Sequence, residues 1–146
     1  MTEYMKQRLE TRIIRESFSD LPTVQCAEDA YILLKDLQNE MVEKFTVLFM
    51  DTRHRVLALV VMFSGGMTES VVDVRILIKT ALDIGATTFL IAHNHPSGDP
   101  RPSAEDRAIT TKIQQAAKLF DIRLLDHIIV GHEGYLSFAD EGILVL

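Results

Sequence analysis

The sequence predicts an α/β fold in a single domain, with a β-sheet flanked by helices. The chain has 146 residues, a length typical of one domain. Hydrophobic residues make up 47% of the chain and charged residues 25%, a composition that can bury a core and is not that of a disordered segment. Helix-like and strand-like patterns alternate through the middle of the chain, which is typical of layered α/β proteins.

The predicted domain covers residues 22–146 and follows an N-terminal extension, residues 1–21. The extension is charged and only weakly periodic, so we expect an arm that pairs either with the domain or with a second copy of the chain. The first helix is predicted over residues 27–37, where apolar side chains recur at helical spacing. Glu28 and Asp29 fall in its first turn, where the helix dipole favours acidic side chains.

Two β-rich runs, residues 45–50 and 55–63, follow the first helix and are separated by residues 51–54. We predict an antiparallel pair of strands that is buried on both faces, because the runs are almost entirely apolar. The next helix is predicted over residues 74–84, which carry apolar side chains at helical spacing. Gly85 is suited to end this helix, because glycine readily adopts a left-handed backbone.

The third helix and the last strands are predicted in the second half of the chain. Residues 87–92 form a short buried strand that leads into a loop with three of the four prolines. A third helix begins just after Ser103, because the apolar residues that follow form one stripe. Residues 122–130 and 135–138 are predicted as a strand pair, and residues 143–146 as a last short strand.

Composition and charge exclude several classes of protein. The longest apolar stretches are far shorter than the roughly 20 residues that span a bilayer, and the polar start lacks the apolar core of a secretory signal. The single cysteine, Cys26, forms neither an internal disulfide nor a multi-thiolate zinc site. We therefore expect a cytoplasmic protein without a membrane partner, in which any metal is bound by His, Asp and Glu. The net charge of −6 gives no general attraction to DNA phosphates.

Two histidines and an aspartate form a candidate metal site. His93 and His95 directly follow the predicted strand, and if strand geometry continues through them, both imidazoles project to the same face. Asp106 lies eleven residues after His95, in the first turn of the predicted third helix. Two nitrogens and one oxygen leave the fourth position of a tetrahedral zinc ion open for water, as in catalytic zinc sites.

Each part of this pattern also has a purely structural interpretation. Ser103 followed by Asp106 fits a minor variant of the helix capping box, and two histidines in a loop often make only local hydrogen bonds. The conjunction of the histidine pair, a proline-rich loop and a carboxylate at a helix start is much rarer than any one of them. We therefore favour the metal site.

The spacing of these residues carries a resemblance to a known family. The pattern of His93-x-His95, seven residues, a serine, two residues and Asp106 resembles the JAMM signature of the JAB/MPN metalloprotease superfamily. The string HNHPSGDPRPSAED is similar to that of the bacterial RadC family, and the resemblance covers most of the chain. It implies a JAB/MPN-like mixed sheet flanked by helices. It also implies a Zn2+ ion held by His93, His95 and Asp106, with water as the fourth ligand.

The resemblance further implies catalytic roles for Glu43 and Ser103. Glu43, directly before the first long strand, matches the family's general acid/base, which takes a proton from the activated water and delivers it to the leaving amine. Glu40 is the nearby competitor, which we interpret as a surface carboxylate. Ser103 matches a hydroxyl that stabilises the oxyanion of a tetrahedral intermediate. The leading hypothesis is therefore a zinc-dependent hydrolase of amide bonds, a metallopeptidase or isopeptidase with a peptide or protein substrate.

A second hypothesis is a DNA-repair or recombination accessory protein whose domain binds DNA or a repair protein without hydrolysis. Longer members of the family that it resembles carry an N-terminal helix-hairpin-helix region, for which we expect no room in 146 residues. That expectation and the charge of −6 weaken direct binding to duplex DNA. A metal-dependent nuclease is a third interpretation, but the sequence has no evident basic track for a phosphate backbone. We also expect that the N-terminal arm could support a homodimer.

Four other residues receive weaker predictions. We expect His127 to be paired locally within its strand, with contact to the metal site as the alternative. Arg75 lies at the start of the second helix, an unfavourable place for a cation, which indicates an anionic partner; a plain surface arginine is the default. Asn94 and Gly98 are predicted to shape the loop rather than to touch a substrate.

Overall fold

The structure, a computed structural model, describes residues 10–13 and 21–146. Its backbone forms a six-stranded sheet with helices on both faces. The elements in chain order are β1 (Glu10–Ile13), α1 (Ala27–Leu34), a 3₁₀ helix (Lys35–Asn39), β2 (Lys44–Met50), β3 (Val56–Ser64), α2 (Val74–Ile84), β4 (Thr88–Asn94), α3 (Ala104–Lys118), β5 (Arg123–Val130) and β6 (Tyr135–Ser137).

The sheet is mixed, and its strand order is β1-β3-β2-β4-β5-β6. Neighbouring strands pair antiparallel except for β4 and β5, which are parallel and are connected through α3. Parallel strands need a crossover connection, and a helix that packs on the sheet is the usual one. The prediction of an α/β fold with a mixed sheet flanked by helices is therefore confirmed.

The central strands are buried on both faces, as their continuous apolar sequences predict. All seven residues of β4 are buried, and so are all residues of β2 after its first. One core cluster lies between the sheet and α1, around Leu48 and Leu90. The other lies beneath α2 and α3, around Phe49 and Phe89, whose ring centroids are 6.4 Å apart.

The first helix and the strand before the histidines differ in length from their predictions. The chain leaves the α-helix after Leu34 and continues as a 3₁₀ helix, whereas the sequence predicts one helix to residue 37. β4 extends through Asn94 and therefore includes His93. The buried neighbour β5 explains the extension, because pairing between the two strands continues as far as Asn94.

The end of α2 is confirmed, whereas the predicted last strand is wrong. Gly85 ends α2 with a left-handed φ of 78°. Residues 143–146 form no strand, because the first two N–H groups of this segment both donate to the carbonyl of Phe138, at 2.8 and 3.1 Å. These bonds turn the chain back toward the end of β6, so the segment has no partner strand within the described residues.

β1 lies at one edge of the sheet, where it pairs antiparallel with β3. The rest of the predicted extension, residues 1–9 and 14–20, lies outside the described residues, and the boundary between residues 21 and 22 stays a prediction. Among the helices that the structure describes, none is long and apolar enough to cross a membrane.

One end of the sheet brings several polar side chains together. The parallel strands β4 and β5 end side by side, with His93 opposite Ile129. β2 begins at the same end, because its antiparallel register with β4 places Phe45 opposite His93. Glu43 lies two residues before Phe45 and therefore next to the end of β4. The chain leaves β4 through the proline-rich loop and returns in α3, so the sequence-predicted residues lie on elements that meet here.

Candidate metal centre

β4 delivers both histidines to this end of the sheet. Alternate residues of a strand face the same way, so His93 shares the face of Phe89 and Ile91, which lies beneath α2 and α3. His93 is completely buried. His95 lies just beyond the strand, but its N–H still donates to the carbonyl of Val130 at 3.0 Å and continues the pairing with β5. Both imidazoles therefore reach the same side of the sheet.

Asp106 approaches the histidines from the first turn of α3. Ser103 is the N-cap of this helix, and its hydroxyl oxygen accepts a hydrogen bond from the Asp106 N–H at 3.0 Å. In return, Asp106 Oδ2 accepts a hydrogen bond from the Ser103 N–H at 2.8 Å, which completes a capping box. Asp106 is only 1% exposed, and the same carboxylate faces the histidines. The carboxylate of Asp106 thus takes part in the capping box and is also the candidate metal ligand.

Four potential ligand atoms converge between these elements. His93 Nε2 lies 2.9 Å from His95 Nε2 and 3.2 Å from Asp106 Oδ1, and His95 Nε2 lies 3.1 Å from Asp106 Oδ2. Glu43 Oε1 is 3.5 Å from His93 Nε2. All four residues offer ligand atoms within 4.8 Å of one another. Ligands about 2.0–2.1 Å from a tetrahedral zinc ion stand ~3.3 Å apart, so this spacing fits such an ion.

The hydrogen-bond partners of the two rings leave their Nε2 atoms free for a cation. His95 Nδ1 donates to the carbonyl of Asp99 at 2.8 Å, since a carbonyl oxygen can only accept. His93 Nδ1 lies 2.7 Å from Nε2 of His127. When both rings are neutral and carry hydrogen on Nδ1, two nitrogen lone pairs and a carboxylate face one another. This arrangement is repulsive unless a cation lies between them, so the donor set fits a metal ion.

The carboxylate and the imidazoles change one another's protonation. Burial alone would raise the pKa of Asp106, but its contacts with the rings of His93 and His95 outweigh burial and hold that pKa well below its usual value. The contact with Asp106 in turn raises the pKa of His95. A proton and a metal ion would therefore compete for the same position between Asp106 and the two imidazoles. Burial holds the pKa of His127 well below its usual value, so that ring is neutral at pH 7.

Glu43 lies on the segment that leads into β2, and its neighbours fix the backbone of that segment. Asn94 Oδ1 accepts a hydrogen bond from the Lys44 N–H at 2.7 Å, and the amide group of Asn94 donates to the carbonyl of Val42 at 3.1 Å. The carbonyl of Glu43 accepts from the Gly65 N–H at 2.8 Å. Asn94 therefore shapes the segment around Glu43, whereas the sequence analysis assigns it to the histidine loop.

Burial divides the site into an inner and an outer part. The side chains of His93 and Asp106 are 0% and 2% exposed, whereas those of His95 and Glu43 are 16% and 28% exposed. Solvent therefore reaches the site from the side of His95 and Glu43. Glu40, the competing carboxylate, has a side chain that is 40% exposed and pairs with a neighbouring lysine at 3.4 Å, as expected of a surface residue.

Behind His93, sequence reasoning missed Thr110 and gave the contact of His127 with the metal site only as its alternative. The expectation that His127 pairs locally in its strand is wrong, because its ring contacts His93 on the neighbouring strand. Thr110 lies 2.6 Å from the other nitrogen of the same ring. A signal for Thr110 does exist in the sequence: it lies one helical turn after Asp106 and interrupts the apolar stripe of α3. No local pattern could show that β5 would lie beside β4.

The two remaining weak predictions agree with the structure. Arg75 is a surface arginine, 92% exposed at its side chain, and its anionic partner is the nearby Asp73 at 3.2 Å. Gly98 shapes the histidine loop: it has a φ of +89°, and its N–H donates to the carbonyl of His95 at 2.8 Å. A Cβ atom at Gly98 would lie 2.7 Å from ring atoms of His132, so any other residue requires that ring to shift and a backbone conformation that L residues rarely adopt.

Comparison with known proteins identifies the family. A family profile described as RadC-like JAB domain matches residues 24–143. A UPF0758 protein of Coxiella burnetii is 42% identical over 93% of this chain and 61% of its own length. A UPF0758 protein of Pasteurella multocida is 40% identical over 98% of this chain and 62% of its own. A UPF0758 protein of Haemophilus influenzae is 45% identical over 97% of this chain and 60% of its own length.

The chain spans about three fifths of the length of these curated relatives. The profile nevertheless covers most of this chain, including each of the residues that converge at the end of the sheet. This protein belongs to the RadC-like JAB domain family.

Proposed function

We propose that this protein is a zinc-dependent hydrolase of amide bonds, a metallopeptidase or isopeptidase that acts on a peptide or protein substrate. One observation carries the proposal: two imidazole nitrogens, an aspartate oxygen and a glutamate oxygen converge within 4.8 Å of one another. Membership of a JAB domain family, which includes hydrolases, supports it. We also propose a cytoplasmic location, because the single cysteine is free and exposed, which suits a reducing compartment.

His93, His95 and Asp106 are the residues that would hold zinc. Imidazole nitrogen and carboxylate oxygen are among the ligands that zinc prefers, and three protein ligands leave one coordination position open, as in catalytic sites. When bound, zinc supplies Lewis acidity, which activates water and polarises a carbonyl group. The open position would face the partly exposed side of the site, where a substrate has access.

Glu43 is the proposed general acid and base. Its carboxylate lies at the open rim, 3.5 Å from His93 Nε2 and 28% exposed, where water and substrate would meet. Attack of water on the carbonyl carbon forms a C–O bond and releases a proton, which the carboxylate accepts. The resulting carboxylic acid donates that proton to the amine nitrogen as the C–N bond breaks, so the products are a carboxyl group and a free amine.

Ser103 is proposed to stabilise the oxyanion that forms on the carbonyl oxygen. Its own oxygen accepts the Asp106 N–H as a helix cap, which leaves the hydroxyl hydrogen free to donate. Ser103 is also exposed, so a substrate can reach it. A donor aimed at developing negative charge lowers the barrier of acyl transfer, by roughly 3–4 kcal/mol in a well-aligned oxyanion hole.

The position of Glu43 also favours a second candidate function. Its carboxylate, 3.5 Å from His93 Nε2, is near enough to move into the fourth coordination position. Four protein ligands make a closed, structural zinc site, and such a domain would bind a DNA-repair partner or DNA without hydrolysis. The net charge of −6 favours a protein partner over direct contact with DNA phosphates.

The substitution Glu43→Gln separates the two candidates. If Glu43 moves protons, the variant keeps about one zinc per chain but cleaves substrate roughly 10²–10⁴-fold more slowly, because an amide cannot accept the proton. If Glu43 is a ligand, the zinc affinity itself falls at least about tenfold. Zinc is measured by elemental mass spectrometry, and cleavage by mass spectrometry of a proteome-derived peptide library. Glu40→Gln is the matched control and should change neither quantity.

Both candidates require that Asp106→Ala loses zinc, since each includes Asp106 among its protein ligands. A protein that contains no zinc and takes up none when zinc is added would contradict both. Zinc-loaded protein that cleaves no peptide of the library, but shifts duplex DNA or captures a protein partner, would favour the second candidate over hydrolysis. Loss of a DNA shift with added salt would identify the contact as electrostatic.

A further inference from the structure

A row of buried polar groups runs inward from the candidate metal centre. Its members are His93, His127 and Thr110. His127 of β5 is completely buried, and its Nε2 is 2.7 Å from His93 Nδ1. Its other nitrogen, Nδ1, is 2.6 Å from Oγ1 of Thr110 on α3. Thr110 Oγ1 is in turn 2.6 Å from the carbonyl oxygen of Asp106. The ring of His127 stacks on Phe138, with centroids 4.4 Å apart, which fixes its plane.

The chemistry of these groups determines where each hydrogen lies. A carbonyl oxygen has no hydrogen, so the short contact between Thr110 and Asp106 requires that the threonine hydroxyl donates. The oxygen of Thr110 can then only accept from His127, so the hydrogen of that neutral ring lies on Nδ1. The Nε2 of His127 is left as an acceptor, and His93 must donate to it from Nδ1. The lone pair of His93 therefore lies on Nε2, which faces Asp106 and His95.

We propose that His127 and Thr110 are positioning residues that hold His93 in the tautomer whose Nε2 lone pair faces the metal site. The inference rests on the proposed zinc function, because a tautomer matters only if Nε2 binds a cation. Ligand imidazoles are usually held by a carboxylate, a backbone carbonyl or water. Here the acceptor is a neutral imidazole fixed by a hydroxyl, so the ring is oriented without a second negative charge beside Asp106.

The row is expected to affect metal binding because its hydrogen bonds raise the fraction of His93 that carries hydrogen on Nδ1. A ring whose Nδ1 has no acceptor can place its hydrogen on either nitrogen, and the form with hydrogen on Nε2 cannot bind zinc through that atom. The apparent affinity then falls in proportion to the competent fraction, and the ring also loses its fixed orientation. Loss of an outer hydrogen-bond partner typically lowers metal affinity about 10–100-fold, and we expect values in this range.

The variants Thr110→Val and His127→Phe test the row from its two ends. We expect zinc affinity, measured by competition with a chromophoric chelator, to fall about tenfold for Thr110→Val and about 100-fold for His127→Phe. Thr110→Ser retains the hydroxyl and should restore the affinity. Thr111→Val is the matched control: Thr111 lies on the same helix and makes the same type of bond, to the carbonyl of Arg107 at 3.1 Å, but faces solvent.

A second measurement starts from the metal-free wild-type protein. Nitrogen-15 NMR of the imidazole rings reports which nitrogen carries hydrogen, and we expect His127 to carry it on Nδ1 in the wild-type protein. In zinc-loaded protein, His93 should also carry hydrogen on Nδ1, and Thr110→Val should shift the signals of His127. A merely structural role would change only the stability of these variants. It would leave the tautomer signals unchanged, and Thr110→Val and Thr110→Ser would bind zinc with the same affinity.

The proposal is overturned if His127 carries its hydrogen on Nε2, or if both variants fold and bind zinc as tightly as the wild type. Failure of the zinc function would look different. In that case the wild-type protein binds no zinc, while the NMR signals of metal-free protein still decide the tautomer of His127. Folding of each variant is checked by its amide spectrum before zinc affinity is compared.

Discussion

The side-chain carbonyl of Asn94 accepts a hydrogen bond from the N–H of Lys44 at 2.7 Å, and this bond ties the end of β4 to the start of β2. Asn94 follows His93 in the chain, and its side chain points to the opposite face of the sheet. One strand end therefore presents a candidate metal ligand on one face and holds the backbone beside Glu43 on the other. The distance between the proposed metal position and Glu43, the proposed general base, depends on both residues.

We predict that Asn94→Ala slows turnover and leaves zinc binding intact. The variant removes the bonds to the peptide groups on either side of Glu43, so the carboxylate loses its fixed position, and a misplacement of about 1 Å can cost about 100-fold in rate. Stability should also fall by about 1 kcal/mol, because part-buried backbone groups lose their hydrogen bonds to Asn94. Zinc stoichiometry and kcat are measured on the same samples. Asn39→Ala, at an exposed position, is the control, and a large loss of zinc from Asn94→Ala would contradict the prediction.

We predict that the two proposed roles of Ser103 can be separated. Ser103→Asp keeps the helix cap, since aspartate is as good an N-cap as serine, but it lacks a hydroxyl donor and should lower kcat about 10²–10³-fold. Ser103→Ala removes both roles and should also lower the free energy of unfolding by about 1 kcal/mol. Ser103→Thr retains both. Urea unfolding and peptide cleavage are measured for the three variants, and full activity of the aspartate variant would exclude an oxyanion role.

We predict that Gly98→Ala weakens zinc binding about tenfold. The new methyl group meets the ring of His132, and alanine is strained at the φ of +89°. The loop must therefore shift, and it carries the carbonyl of Asp99 that holds His95 Nδ1 at 2.8 Å. Chelator competition measures the affinity.

Two further variants distinguish the causes of this effect. Adding His132→Ala to Gly98→Ala removes the contact with the ring but not the backbone strain, so it should restore only part of the affinity. Gly134→Ala is the control, because a methyl group there meets nothing within 4 Å. Equal affinity for the wild type and Gly98→Ala would mean that this loop does not orient His95.

The pH dependence of stability is predicted from Asp51, in the turn between β2 and β3. Its carboxylate accepts from the N–H groups of Arg53 and Arg55 at 2.9 and 3.0 Å and from Arg55 Nε at 2.7 Å. Burial alone would raise the pKa of Asp51, but these bonds outweigh it, and the pKa lies below its usual value. A lowered pKa in the folded state stabilises the fold above the usual pKa near 4, and this contribution is lost as pH falls.

We therefore expect Asp51→Asn to lower the free energy of unfolding by about 1 kcal/mol at pH 7, and the difference from the wild type to shrink toward pH 3. Urea unfolding at both pH values measures it. Asp83→Asn is the control, because Asp83 and its partner Lys79 are both more than half exposed and such pairs contribute little. A difference that stays the same at pH 3 would show that the charge of Asp51 does not matter.

The sequence predicts much of this fold because its strongest signals are local. The helical spacing and the glycine at its end predict α2 to the residue, and the apolar runs predict the central strands. The spacing of His93, His95 and Asp106 predicts that they meet, because strand alternation and a helix start determine where such side chains point.

The errors arise where the outcome depends on distant neighbours. The apolar residues 143–146 read as a strand, but a strand needs a partner, and the carbonyl of Phe138 takes the N–H groups that would have paired. His127 and Asn94 read as locally bonded residues, although their partners lie 34 and 50 residues away in the chain. A local pattern contains neither the strand order nor the register that brings these partners together.

The capping box at Ser103 and Asp106 has a consequence for how the proposed activity could be lost among relatives. Asp106 Oδ2 accepts the N–H of Ser103 in the capping box of α3, and the same carboxylate faces the histidines, so selection for folding alone would retain this aspartate if the proposed chemistry were lost. Glu43 has no comparable duty, since the contact of its side chain in the described structure is with the site itself. Under the proposed function, a homologue with an intact His-x-His and aspartate but another residue at position 43 is therefore expected not to hydrolyse amides, and position 43 is the diagnostic one.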